Sequence, residues 1–298
     1  MTTPTRCPKL PAMKKRLVIN ADDFGLCTSV NKAVAKAHSD GVLTSTTVMT
    51  NTPAAEEAVQ IARRLPHLGV GIHLNLTIGR SLTGKDVLDG LVDAHGNFTG
   101  SLAKVVLFAL AGPASRRALR TELEAQIRWA LDRGLEPTHL DSHKHVHMFP
   151  PIYSITCHLA RTFGIGAVRH GFEPAQVCSF PWPLPTEGGK KRARVIRNMA
   201  RLNRLQNAAC LKTDVLLGIA HTGRIDENFY KTVSLYNSAA TTEIMTHPGL
   251  GDSSDDPRKK LPGRQAELDA LCSNRTRAFL EDAQITLVHY GRLCASRV

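Results

Sequence analysis

Short apolar runs alternate with amphipathic stretches along this chain. Eight of the runs have the length and composition of strands: "RLVIN" (16–20), "TSTTVMTN" (44–51), "GVGIHLNL" (69–76), "THLDSH" (138–143), "IGAVRH" (165–170), "DVLLGIA" (214–220), "TEIMTH" (242–247) and "QITLVH" (284–289). Between them apolar residues return at helical spacing. In "SVNKAVAKAHSDG", Val30, Ala33, Val34 and Ala37 fall at i, i+3, i+4 and i+7, and Gly41 ends the pattern. "PAAEEAVQIARRLP" opens on Pro53 and stops before Pro66, "ALRTELEAQIRWALDRG" closes at Gly134, and "PPIYSITCHLARTFG" opens on prolines and closes at Gly164. "DENFYKTVSLY" and the stretch around "RQAELDALCS" complete the helical series.

Strand and helix in alternation, to about eight strands, predict a parallel α/β fold. With this many units a closed or nearly closed barrel ranks ahead of an open doubly wound sheet. No GxGxxG follows the first run, which argues against a dinucleotide-binding sheet. Residues 1–14 read as a flexible N-terminus and 15–298 as one barrel domain, with insertions near 79–115 and 178–210. The first insertion shows little periodicity.

Composition narrows the class. The chain has 298 residues, 42% hydrophobic and 21% charged, which is ordinary for a globular protein. Its length suits a barrel of about 250 residues with additions. Seven widely spaced cysteines with no CxxC argue against a disulfide framework and against a cysteine-held zinc. No apolar run approaches the length of a membrane span, and "RLVIN" is too short for a signal sequence, so the expected compartment is the cytoplasm. The net charge is +12, but nine Phe, four Tyr and two Trp supply few stacking residues and no nucleic-acid motif is present. No nucleic-acid partner is therefore expected.

Candidate chemistry gathers where active sites of parallel barrels lie, at the C-terminal ends of strands. Asp22 and Asp23 follow the first run, Asn51 ends the second, and His73 and Asn75 lie on the third. Asp141 and His143 lie on the fourth, Arg169 and His170 end the fifth, and His221 and His247 follow the sixth and seventh. "THLDSHKHVHMFPP" alone holds four of the thirteen histidines: His139, His143, His145 and His147. With Asp141 they all share odd parity, so an extended strand would set them on one face. Adjacent carboxylates in "NADDFG" repel each other unless a cation compensates, although an aspartate there also suits a helix N-cap. One aspartate and two histidines with open positions form a donor set for a catalytic divalent metal.

The motifs "INADDFGL", "TSTTVMTN", "GIHLNL", "THLDSHKHVHMFP" and "EIMTHPG", in that order, resemble the YdjC-like carbohydrate deacetylase family, which includes chitooligosaccharide deacetylases and a hopanoid-associated branch. The resemblance runs from about Arg16 to Asp252. It implies a TIM-barrel-like fold and metal-dependent removal of acetyl groups from N-acetylated amino sugars. Carried onto this chain, it makes Asp23, His73 and His143 metal ligands and Asp22 the base that deprotonates water. His247 becomes the acid that protonates the leaving amine, by analogy to polysaccharide deacetylases at large. Asp141 would orient a histidine, His145 would line the pocket, and Arg169 would either support the site from behind or contact substrate. Imidazole ligands favour Zn²⁺, and the resemblance leaves room for Mg²⁺.

The segment 179–207 departs from the shorter sugar deacetylases. Val195, Ile196, Met199, Leu202 and Leu205 form a helical stripe among Lys190, Lys191, Arg194, Arg197, Arg201 and Arg204. Two readings stand. The stripe packs on the barrel, or the basic helix 190–207 lies on an anionic membrane surface at the inner face of the membrane. In the second case the substrate would be a glycolipid, such as hopanoid-linked N-acetylglucosamine. Self-association as a homodimer is also open. Competing activities are a phosphoesterase or glycosidase on the same barrel and a non-catalytic carbohydrate-binding protein. A retaining glycosidase needs paired carboxylates about 5 Å apart and no metal, whereas side chains of adjacent Asp22 and Asp23 should diverge.

Overall fold

The computed structural model describes residues 15–179, 183–204, 210–236, 239–251 and 263–295. The predicted N-terminal tail and Leu205 of the basic stripe lie outside them. All eight apolar runs form strands: β1 Arg16–Phe24, β2 Ser45–Val48, β3 Gly69–Leu74, β4 His139–Ser142, β5 Ala167–Val168, β6 Val215–Leu217, β7 Thr241–Thr246 and β8 Thr286–Leu287. Every pairing is parallel, in the order β5-β4-β3-β2-β1-β7-β6. The short β8 pairs with Arg16 and Leu17 of β1, below the residues from Asn20 onward that pair with β2.

The two ends of this curled sheet approach each other. Leu211, ahead of β6, exchanges backbone bonds with the β5 segment (Val168 N to Leu211 O, 3.1 Å; Leu211 N to Gly166 O, 2.9 Å), and Leu216 N donates to Phe172 O at 3.0 Å. The result is a distorted TIM-like barrel with helices outside. Period-two alternation sorts β1 between its two sides. Leu17, Ile19 and Ala21 join the large apolar layer beneath the helices. Val18 joins a small separate cluster with Ala167, Leu211, Tyr290 and Leu293. Asn20 and Asp22 continue the Val18 side toward the strand's C-terminal end.

The expected helices form, with shifted ends. The helix read from 118 begins at Pro113 and runs to Leu131. The stretch 79–115, read as aperiodic, also contains a helix, Leu102–Leu110, capped by the Ser101 side chain, which accepts from Lys104 N. "LAKVVLFAL" is apolar nearly all round, so no period marks it. The helices Asn274–Asp282 and Tyr290–Ala295 were not expected from the pattern. Buried Glu122 and Gln126 tie the insertion down. Glu122 accepts the N–H groups of Leu82 and Thr83, and Gln126 bonds both N and O of Asn75 just past β3.

The basic helix spans Glu187–Asn203 and buries Gly189, Ala193, Ile196, Ala200 and Asn203. The predicted stripe is thus not the packed one. Of its members Ile196 is buried and Met199 is half-buried, while Val195 and Leu202 are 52% and 66% exposed. Small residues win the contact because they admit close backbone approach: a Cβ on Gly189 would stand 2.1 Å from Ala220 O. Among the described residues no helix is long and apolar enough to cross a membrane.

Candidate metal centre and active site

β1 delivers both aspartates to one place, against the expectation that they diverge. The register of β1 against β2 shifts between Ala21 and Phe24, and Asp23 takes a left-handed φ of 71°. Such a bulge re-aims a side chain that strict alternation would send the other way. Asp23 Oδ1 lies 3.1 Å from Nδ1 of His143 and 3.7 Å from Nε2 of His73. Nδ1 of His73 faces Asp141 Oδ1 at 2.7 Å, and Thr47 Oγ1 donates to the other oxygen of Asp141 at 3.1 Å. A proton on Nδ1 of His73, given to Asp141, leaves Nε2 as a lone-pair donor toward Asp23.

Donor atoms of Asp23, His73 and His143 all lie within 4.8 Å of one another, and all three residues are buried. One carboxylate and two imidazoles fit a divalent cation with positions left for water or substrate. His143 reaches the group from the first position after β4, where the chain enters a 3-10 turn over His143–Met148.

That turn breaks the one-face arrangement expected for the histidines. Lys144 and His145 both have φ of 54°, so the period of two ends at Ser142. His147 is held by structure: Nδ1 meets Ser142 Oγ at 2.5 Å and Nε2 lies 3.1 Å from Arg169 O. His139 stacks on Tyr290 with ring centroids 4.1 Å apart. His145 is buried with no partner on Nδ1, and burial, then Arg169, push its pKa well below the usual imidazole value.

Arg169 fills the barrel interior and has no exposed surface. It meets three carboxylates. Its guanidinium grips Asp22 with two bonds (2.8 and 2.7 Å), Glu243 Oε1 with two (2.9 and 2.7 Å) and Asp141 Oδ2 at 2.7 Å. The Tyr290 hydroxyl donates to the other oxygen of Glu243. Burial alone would raise the Asp22 carboxyl, but Arg169, His73 and His247 outweigh it and hold the group well below the ordinary carboxylate range. Glu243 is pushed up by burial, which Arg169 and Tyr290 only partly offset.

His247 follows β7 and places Nε2 4.0 Å from Asp22 Oδ2. Asp22 thus stands between Arg169 and His247. Behind Asp23, Arg264 Nη2 donates to Oδ2 at 2.9 Å. Arg264, Glu267, Glu243 and Tyr290 were not singled out from sequence. A signal existed for two of them: Arg264, Glu267, Leu268 and Leu271 fall at i, i+3, i+4 and i+7, so two charges share a buried apolar stripe.

The family model described as YdjC-like protein matches residues 16–282. The chain belongs to the YdjC-like family. Its motifs "INADDFGL", "GIHLNL" and "THLDSHKHVHMFP" are the segments that bring Asp22, Asp23, His73, Asp141 and His143 together. Among similar proteins, carbohydrate deacetylase 2 of Listeria innocua is 31% identical over 92% of this chain and 97% of its own. A carbohydrate deacetylase of Clostridium beijerinckii is 30% identical over 92% and 98%. A chitooligosaccharide deacetylase of Salmonella dublin is 42% identical over 51% of this YdjC-like chain and 58% of its own. A crystal structure of an Enterococcus faecalis V583 protein, 24% identical, superposes with a TM-score of 0.75 over 94% of this chain and 99% of that one, which shows a shared fold.

Proposed function

We propose that this protein is a carbohydrate deacetylase that uses a divalent metal to remove the acetyl group of an N-acetylated amino sugar. The observation that carries the reading is the Asp23–His73–His143 cluster with Asp22 and His247 beside it. Relatives named carbohydrate deacetylases, alike over nine-tenths of the chain, support it. Asp23, His73 and His143 would hold the cation. When bound, it supplies Lewis acidity to the acetyl carbonyl and makes a neighbouring water easier to deprotonate. Two imidazoles favour Zn²⁺, while the family resemblance also admits Mg²⁺.

Asp22 serves as the base. Arg169 keeps it ionised, with lone pairs open to a water whose proton a bound cation would make more acidic. The water oxygen bonds to the acetyl carbon, the C–N bond breaks, and acetate and a free amine leave. His247, whose Nε2 lies 4.0 Å from Asp22, gives the amine its proton. Asp141 fixes the His73 ring, and His145 lines the same pocket. Chelator-stripped protein is expected to release no amine from an N-acetylglucosamine oligomer, and Zn²⁺ or Mg²⁺ should restore release. Metal-loaded protein that leaves every N-acetylated sugar untouched would move the site to another hydrolysable bond.

A glycolipid substrate is favoured by a separate observation. The helix Leu102–Leu110 exposes Leu102, Leu107 and Leu110, and the basic helix exposes Val195 and Leu202. Both helices pack against Pro150–Thr162. Apolar side chains beside Lys190, Lys191 and Arg194 suit an anionic membrane surface on the cytoplasmic side. N-acetylglucosamine on a hopanoid is one substrate of that class. Charge reversal at Lys190, Lys191 and Arg194 should weaken binding to anionic liposomes while leaving hydrolysis of a soluble oligomer intact; equal liposome binding by both proteins would count against the membrane contact.

A further inference from the structure

Arg264 and Glu267 stand one turn apart on the helix Arg264–Cys272 and are 5% and 0% exposed. Burying two charges is costly unless partners recover the loss, and the partners here include Asp23 and the backbone of His247 and Pro248. Besides its bond to Asp23 Oδ2, Arg264 places Nη1 3.4 Å from the carbonyl oxygens of both His247 and Pro248. Glu267 Oε2 accepts the N–H of His247 at 2.5 Å, and Oε1 accepts that of Gly223 at 2.7 Å.

The backbone is shaped to let this helix in. Gly249 N donates to Arg264 O at 3.1 Å, and a Cβ on Gly249 would come within 2.9 Å of Arg264 Cδ. Gly263, which opens the helix, has φ of 94°, and a Cβ there would stand 2.1 Å from Gly223 O. Glycine at 249 is thus explained by the arginine stem lying across it. Arg264 reaches the carboxylate of Asp23 and the peptide of His247 with one guanidinium, so the two ends of β1 and β7 are clamped together. Turning Oδ2 of Asp23 toward Arg264 leaves Oδ1 facing the two histidines.

We propose that Arg264 and Glu267 are positioning residues for the reaction. Arg264 orients Asp23 for the cation, and Glu267 fixes the backbone that carries His247, so one helix sets the placement of metal carboxylate and proton donor. The inference rests on the deacetylase reading, and the experiment separates the two.

Arg264→Lys keeps the charge and loses the fork; Glu267→Gln keeps the shape and loses the charge. Zn²⁺ binding to chelator-stripped protein is measured by calorimetry, with the melting temperature of the stripped protein alongside. Turnover is measured on an N-acetylglucosamine oligomer and on 4-nitrophenyl acetate, whose leaving group needs no proton. Arg264→Lys should weaken Zn²⁺ by about 10–100-fold, the usual cost of losing a group that orients a metal ligand. Glu267→Gln should retain more of its Zn²⁺ affinity, and its kcat on the amide should fall by about tenfold or more, and by less on the ester, with KM little changed. Variants that bind Zn²⁺ as the wild type does, and lose amide and ester turnover in equal proportion, would reduce the pair to a structural role and overturn the proposal. If wild-type protein bound Zn²⁺ but released no amine, the deacetylase reading would fall, and the affinity of Arg264→Lys would still decide the role of Arg264.

Discussion

Replacing Arg169 by methionine is expected to cost about 3–5 kcal/mol, the range seen when one partner of a buried charge group is removed. That is a large part of the roughly 5–15 kcal/mol that holds a typical domain folded. The methionine fills much of the volume but leaves Asp22, Asp141 and Glu243 facing one another without a cation. Urea unfolding at neutral pH measures the loss, and a variant as stable as the wild type would contradict the assignment of Arg169 as the interior counter-charge. The sign of the pH dependence follows from Asp22. Its folded pKa lies below the unfolded value of about 3.9. The wild type therefore holds this stabilisation above that value and loses it as pH falls through the folded one. The variant lacks it throughout, so the gap between the two proteins should narrow in acid.

Asp22→Asn is expected to lower the rate of amine release by about 10²–10⁴-fold, the usual worth of a positioned base. Asparagine keeps the shape of the side chain, and Arg169 keeps Asp141 and Glu243, so the fold should survive. Cation affinity should change little if Asp23, His73 and His143 hold the cation; the second group of close donors, Asp22, His73 and Asp141, has both its carboxylates bound to Arg169. Amine release and calorimetric metal titration on the same preparation test both halves. Activity within tenfold of wild type would remove Asp22 from the reaction; lost metal binding would reassign it to the cation. Arg169 sharpens the expectation. A carboxylate held so far down is a weak base in water, so its contribution depends on a proton made acidic by its surroundings.

The alternation of short apolar runs and amphipathic stretches was enough to place all eight strands. It was enough because each run is bounded by polar or turn residues and each lies at the expected spacing from a helix. The donor residues were legible for the same reason: in a parallel barrel a strand end is a place in space, and Asp23, His73 and His143 stand at three of them. Local pattern failed where backbone or distant packing decides. The bulge that turns Asp23 beside Asp22 leaves no mark beyond the adjacent carboxylates. The left-handed residues at 144 and 145 end the histidine strand early, although no glycine announces them. The partners of Arg169 were hidden because its three carboxylates come from β1, β4 and β7, far apart in the chain. The packed side of the basic helix was only partly legible for a different reason: beside Ile196 it uses Gly189, Ala193 and Ala200, which carry little hydrophobic signal.

β1 lies at the centre of the sheet, yet its neighbour β7 and the arginine behind Asp23 come from the far end of the chain, Arg264 being 241 positions later. On the ribosome, at about 5–20 residues per second, the first strand waits on the order of ten to fifty seconds for them. Throughout that time Leu17, Val18 and Ile19 have no β7 to pair with. A chain cut short between His143 and Arg264 therefore carries both aspartates, His73 and His143, but lacks the arginine that holds Asp23.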